Sequence, residues 1–188
     1  METKMVEYMM SAGLTERDIE KLNGIGYFSQ PASKGHHLAH KGGLVAHSVN
    51  VTRRLVELTE TLGVKWPRRE SPYLVGMLHD LVKCRCYRLS NRPDYTESGG
   101  DEPPKWEYIQ PVYPKHGAAS AAIAAELGIQ LLRDEIVAIT FHMGVFAIGK
   151  EYTQEEFDAA VKWHGAQVIA THCADWYAAR VDEEGGER

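Results

Sequence analysis

Between residues 43 and 62 the apolar side chains Leu44, Val51, Leu55, Leu58 and Leu62 recur at steps of three, four and seven, and Gly63 follows at once. That spacing lays them along one stripe of a 3.6-residue helix and predicts a long amphipathic helix stopped by glycine. A stripe of this kind has to be covered by other elements, and the signals elsewhere in the chain are also helical. Two short helices are expected near residues 2–12 and 15–23, the second opened by Thr15 as N-cap with Asp18 three positions later. Ser71 followed by Pro72 reads as an N-cap and N1 pair, with Leu74, Val75, Leu78 and Val82 as the buried stripe of the helix it opens. An Ala-rich helix is expected over residues 114–126, another near 132–143 stopped by Gly144, and a last one of about 25 residues opened by the Thr153 and Glu156 capping box. Two stretches interrupt the pattern. Residues 24–42 mix Gly, Pro, Ser and aromatic or imidazole side chains and read as a loop able to lie over a site. Residues 84–113 are irregular, with CYRLS and KWEYIQ able to pair as a small β-hairpin. The expected architecture is one all-α domain over residues 1–188, a helical bundle with an irregular insertion around 84–113 and a frayed tail over 182–188.

Composition narrows the function. Twenty-one Lys and Arg against 26 Asp and Glu leave a net charge of −5, with no global attraction to nucleic-acid backbones or anionic membranes. No span reaches the roughly 18 uncharged apolar residues of a membrane helix, and METKMVEYMM is not a secretory leader. The three cysteines, Cys84 and Cys86 spaced CxC and a distant Cys173, form neither a disulfide framework nor a zinc ribbon. A soluble protein of the reducing cytoplasm is the expectation.

The histidines carry the chemistry. His47, His79, His116 and His142 fall on four different predicted helices, as do Asp80 and Asp175, and His47 shares the apolar face of Leu44 and Val51. One buried histidine is ordinarily a satisfied core residue, since a neutral imidazole needs only one or two hydrogen bonds. Four inward histidines with two carboxylates are costly to satisfy in pairs, whereas a divalent cation absorbs several lone pairs and two negative charges at one point. His79 and Asp80 are adjacent, and helix neighbours diverge by about 100°, so both reach one centre only from a helix edge.

The order His47, His79-Asp80, Asp175, set in HKGGLVAHSVNV, GMLHDLVK and THCADWYAAR, resembles the HD superfamily of metal-dependent phosphohydrolases over residues 31–180. The resemblance implies that His47, His79, Asp80 and Asp175 hold a first metal, with Asp80 able to bridge to a second. His116 in YPKHGAAS and His142 in AITFHMG match the added ligands of binuclear branches, so two divalent ions per chain are expected. Lys83 occupies the HDxxK position, where a lysine contacts substrate phosphate in several branches. Val82 stands where glycine is usual, so the helix is free to run on and carry Lys83 at another angle. The GYP triplet is absent and Phe141 replaces the first histidine of a paired HH, which disfavours cyclic-di-GMP chemistry. His172 is expected to bond a ligand or to pack in the core, His164 to be structural, and His36, His37 and His40 to precede the site in a pattern similar to bacterial 3′-to-5′ exoribonucleases. Cys84 and Cys86 are assigned no role.

Two ions roughly 3.5–4 Å apart acidify a shared water and steady charge on a phosphoryl oxygen, which is phosphoester hydrolysis. In that reading Asp80 or a neighbouring imidazole steers the proton and Lys83 neutralises nonbridging oxygens, making Asp80 and Lys83 the catalytic residues. Mixed imidazole and carboxylate donors suit Fe, Mn, Ni, Co or Zn. With 46 residues ahead of His47, a nucleic-acid-binding domain like that of the exoribonucleases is not expected, and the basic stretches are short: KWPRR at 65–69, and Lys83, Arg85 and Arg88. A small phosphorylated substrate, nucleotide-sized, is expected rather than long nucleic acid or membrane. Tyr27, Phe28, Trp106 and Tyr108 are aromatics in loops able to stack on a base or to anchor the chain. The alternatives are a di-iron oxygenase of the same fold, exonuclease-like action on short oligonucleotides, and a non-catalytic nucleotide-binding module.

Overall fold

The computed structural model describes residues 2–35, 38–89, 106–112 and 115–183. Among them are seven α-helices, α1 (Glu2–Ser11), α2 (Glu16–Gly24), α3 (Gly43–Leu62), α4 (Ser71–Leu78), α5 (His116–Glu126), α6 (Arg133–Thr140) and α7 (Gln154–Tyr177). A single antiparallel hairpin, β1 (Tyr87–Leu89) with β2 (Trp106–Tyr108), is the one sheet among the described residues.

The long helix α3 runs over the expected residues and ends at Gly63, whose φ of 64° is left-handed and whose N–H donates to Thr59 O. Leu44, Val51 and Leu55 are fully enclosed, and α3 forms the axis of the bundle by packing chiefly against α4 and α7. Both expected capping boxes are present, at Thr15 with Asp18 and at Thr153 with Glu156. The start of α3 is set by close backbone approach. A Cβ on Gly43 would stand 1.9 Å from Leu38 O and 3.0 Å from Ala32 N, so only glycine lets the preceding loop fold back here. The same loop buries Tyr27, whose hydroxyl donates to Met77 O at 2.5 Å. Tyr27 thereby ties the start of the loop over 24–42 to α4.

The hairpin pairs Tyr87 with Tyr108, Arg88 with Glu107 and Leu89 with Trp106. The rest of the insertion, residues 90–105 and 113–114, lies outside the described residues.

Three helix ends differ from the sequence pattern, and all three matter for the site. The stripe expected to carry α4 through Val82 stops at Leu78, and the chain tightens into a 3₁₀ turn over Leu81–Arg85. Helix α6 stops at Thr140 rather than near 143, which leaves His142 in a turn. Helix α7 does not fray after residue 181 but widens into a π turn over Ala178–Glu183. Asp182 there accepts from Arg54 at 2.5 and 2.8 Å and pairs with Arg53 at 2.9 Å, so part of the expected frayed tail is clamped onto α3. Residues 184–188 lie outside the described residues.

Candidate metal centre

Six side chains expected to ligate metal converge from five elements. His47 enters from the second turn of α3, His79 and Asp80 from the junction after α4, and His116 from the first residue of α5. His142 comes from the turn after α6 and Asp175 from the last turn of α7. The histidines were expected within helices, yet His79, His116 and His142 stand at helix ends. The premature stop of α4 resolves the problem of adjacent ligands. His79 keeps helical torsions (φ −56°, ψ −30°) while Asp80 leaves them (φ −111°, ψ 21°), so the two side chains need not diverge as they would in a continuous helix.

The ring nitrogens are sorted by their acceptors. His79 Nδ1 donates to Gly76 O at 2.9 Å, His142 Nδ1 to Ile139 O at 2.7 Å, and His47 Nδ1 to Glu183 Oε1 at 3.0 Å. Carbonyl and carboxylate oxygens only accept, so Nδ1 carries the proton in each ring and Nε2 faces the centre, the arrangement of metal-ligating imidazoles. His47 Nε2 and His79 Nε2 are 3.4 Å apart, and Asp175 Oδ1 lies 3.1 and 3.8 Å from them. Asp80 divides its two oxygens: Oδ2 lies 3.5 Å from His47 Nε2 and 3.4 Å from His79 Nε2, while Oδ1 lies 2.5 Å from His116 Nε2 and 3.6 Å from His142 Nε2. Two trios, His47, His79 and Asp175, and His79, Asp80 and His142, each keep their donor atoms within 4.8 Å of one another.

A test of fit comes from His142. Its Nε2 is buried with no hydrogen-bond partner among the described residues. An orphaned buried acceptor costs about 1–3 kcal/mol, and a cation bound among these atoms removes that cost. The donor set of imidazole nitrogens and carboxylate oxygens fits a transition-metal or zinc ion.

The charges are mutually adjusted. Burial disfavours ionised Asp80, but Lys83, His79 and His116 hold its carboxyl well below the usual range. Asp175 is likewise held down against burial by His47. Burial also opposes charge on His47, and hydrogen bonds to Asp175 and Glu183 outweigh it, lifting the pKa to about 9. His142 moves the other way, to about 4, because burial and the neighbouring His79 disfavour its imidazolium.

Lys83 reaches the centre through the 3₁₀ turn. With three residues per turn, positions 80 and 83 eclipse, and Lys83 Nζ lies 2.5 Å from Asp80 Oδ2. Val82 in the glycine-like position did not prolong the helix: its side chain is buried and its N–H donates to Ser120 Oγ at 3.2 Å. His47, Asp80, His116, His142 and Asp175 open onto a cavity of about 430 Å³, whose wall also includes Lys83, Met143, Phe146, Trp176 and Arg180. Phe146 and Trp176 are both more than half exposed at its mouth.

Other expected residues fall elsewhere. His172 Nδ1 donates to His142 O at 2.9 Å and so braces the turn that carries His142. His164 bonds Asp134 across α6 and α7. His40 is exposed and bonds Lys41 O, whereas His36 and His37 lie outside the described residues. Tyr27 is an internal anchor and Phe28 packs against the core, while Trp106 and Tyr108 belong to β2; none of the four lines this cavity. Cys84 and Cys86 are buried and Cys173 is exposed. A second depression of about 530 Å³ between α1, α3 and α4 is lined by Trp66, Arg68 and Arg69 of the KWPRR run, away from the histidines.

Sequence reading missed Glu183, Asn50, Phe146, Trp176 and Arg180. Nothing in local periodicity distinguishes them, because the cavity and the Glu183 contact form only when distant elements pack together. Comparison with protein-family models, with curated proteins and with solved structures returns no match.

Proposed function

We propose that this protein is an HD-type metal-dependent phosphohydrolase acting on a small, nucleotide-sized phosphorylated substrate. The observation that carries the reading is the convergence of three Nδ1-protonated imidazoles, His47, His79 and His142, on an Asp80 carboxylate whose two oxygens face different partners. Two divalent cations would supply Lewis acidity at phosphorus and a water acidified toward neutral pH. His47, His79 and Asp175 would hold one, His142 and His116 the other, and Asp80 would touch both.

The chain's own groups supply the rest. Lys83, fixed beside Asp80, stands where a cation neutralises nonbridging phosphoryl oxygens, and Arg180 adds a second positive group on the same wall. Asp80 is held ionised by its neighbours and is the group placed to keep a proton acceptor at the centre. Trp176 and Phe146 present aromatic surface at the mouth, which suits a base stacked outside while its phosphate reaches inward. The net charge of −5 and the modest cavity favour such a ligand over a polymer.

The test is metal analysis of the purified protein with a screen of phosphomonoesters, cyclic nucleotides and dinucleoside polyphosphates under several metals. Anaerobic phosphate release or phosphodiester cleavage that is lost in His79→Ala and Asp80→Ala supports the reading. Near wild-type hydrolysis in either variant refutes the site, and oxygen uptake by bound iron without hydrolysis assigns an oxygenase instead. One metal per chain at saturation removes the second ion alone.

A further inference from the structure

The three protonated Nδ1 atoms are satisfied in two different ways. His79 and His142 stand just past the ends of α4 and α6, and each donates to a carbonyl three residues back, Gly76 O and Ile139 O. Those carbonyls belong to last helical turns, where intrahelical partners run out. His47 lies inside α3, where the carbonyls around it are committed to the helix's own bonds. Its acceptor has to come from another element, and the one present is Glu183, 136 residues away in sequence.

Glu183 is held for that contact. Its side chain is only 1% exposed, with Oε1 3.0 Å and Oε2 3.2 Å from His47 Nδ1, and Oε1 also accepts from Asn50 Nδ2 at 3.0 Å. Asn50 is one turn along α3 from His47, so a single carboxylate spans the turn that presents the ligand. A carboxylate buried to this extent is expensive unless its hydrogen bonds are well made. The π turn Ala178–Glu183 brings it there, and the neighbouring Asp182 locks that turn to Arg54 and Arg53.

We infer that Glu183 is a positioning residue of the metal centre: it pins Nδ1–H of His47, and thereby the ring's orientation and the direction of its Nε2 donor, from the C-terminal turn of the chain. The inference rests on the metal reading of the site. Outer carboxylates of this kind raise the basicity of a ligating imidazole and fix its tautomer, and their loss costs about 10–100-fold in metal affinity.

The experiment titrates Co(II) into the full chain, following affinity and the visible ligand-field spectrum, beside the melting temperature of the metal-free protein. Glu183→Ala is expected to weaken Co(II) binding by about 10–100-fold and to alter the spectrum. Glu183→Asp, whose carboxylate is one methylene too short for the same contact, is expected to do likewise and serves if the alanine variant does not fold. Glu183→Gln keeps an acceptor and should recover part of the affinity. Asp182→Ala loosens the same turn without removing the acceptor, so it should lower the melting temperature with a smaller loss of affinity. Wild-type affinity and spectrum in both Glu183→Ala and Glu183→Asp overturn the inference, as does an affinity loss in Asp182→Ala equal to theirs. Failure of the wild-type chain to bind Co(II) or any other divalent metal overturns the metal reading itself.

Discussion

Replacing Gly76 with alanine tests whether the spacing of α3 and α4 sets the geometry of the centre. A Cβ at position 76 would lie 2.5 Å from Thr52 Oγ1 and 2.6 Å from Thr52 Cα. A rotamer change moves the hydroxyl but not the Cα, so restoring even a 3.4 Å contact from 2.6 Å requires the helices to part locally by 0.8 Å. Overpacking of this kind costs about 1–3 kcal/mol, and the better helix propensity of alanine returns about 1 kcal/mol. A net loss of up to about 2 kcal/mol follows, or up to roughly 8 °C in melting temperature for a domain of this size. The site shares the strain, because Gly76 O is the acceptor that orients His79 Nδ1. A displacement of 0.8 Å exceeds the roughly 0.5 Å within which ligand sets must be held, so divalent-metal affinity should fall as well. Thermal melts of the metal-free chain and calorimetric titration with Mn(II) measure the two effects. A Gly76→Ala protein that melts at or above the wild-type temperature and binds Mn(II) equally well would refute the reasoning.

Other outcomes follow from separate parts of the molecule. Glu135 is fully buried and accepts from Arg68 Nε at 2.7 Å, Ser71 Oγ at 2.7 Å and the Leu132 N–H at 2.7 Å, so Arg68→Ala should cost about 2–3 kcal/mol in urea unfolding. The double variant with Glu135→Gln should cost less than the two single losses combined, and strict additivity would count against the pair. Stripping metal with a chelator should lower the melting temperature, and readdition at about a hundred times Kd should restore about 2.7 kcal/mol, roughly 5–11 °C. A neutral-pH maleimide should label the exposed Cys173 alone, leaving Cys84 and Cys86 intact until the chain unfolds; mass spectrometry counts the adducts. Burial pushes the Cys84 and Cys86 thiols up to about 12 and about 11. Their folded values exceed the 9.0 of an unperturbed thiol, so the unfolded chain deprotonates first. Stability from these groups is complete below about pH 9 and declines as pH rises toward 12, which alkaline denaturation curves will register.

Much of the scaffold was legible because its signals are local. Leu44, Val51 and Leu55 recur with the helical period, Gly63 stops α3 at the expected residue, and the pairs Thr15 with Asp18 and Thr153 with Glu156 open helices where capping chemistry requires. The hairpin was also readable, since CYRLS and KWEYIQ are the flanks of a turn-rich stretch and pair as β1 and β2. Helix ends without such signals were misplaced. Val82 continues the apolar stripe of α4 and is indeed buried, yet it lies in a 3₁₀ turn, since periodicity records burial and not the hydrogen-bond pattern that produces it. The aromatic loop residue Tyr27 was equally ambiguous in sequence and turned out to be an internal anchor on Met77.

The candidate site divides along the same line. The identities of His47, His79, Asp80, His116, His142 and Asp175, and the reason for suspecting them, come from residue type and placement in the chain, because inward imidazoles and carboxylates in such number are costly to satisfy in pairs. How they meet was decided by tertiary structure. Only the packed bundle divides the two oxygens of Asp80 between His47 and His142, leaves His142 Nε2 without a hydrogen-bond partner among the described residues and sets Lys83 against Asp80. Only a π turn at the far end of α7 brings Glu183 to the back of His47. A sequence specifies donors through side-chain chemistry and local period, whereas the direction of each donor depends on where helices stop and on contacts made across 136 residues of chain, which no local pattern encodes.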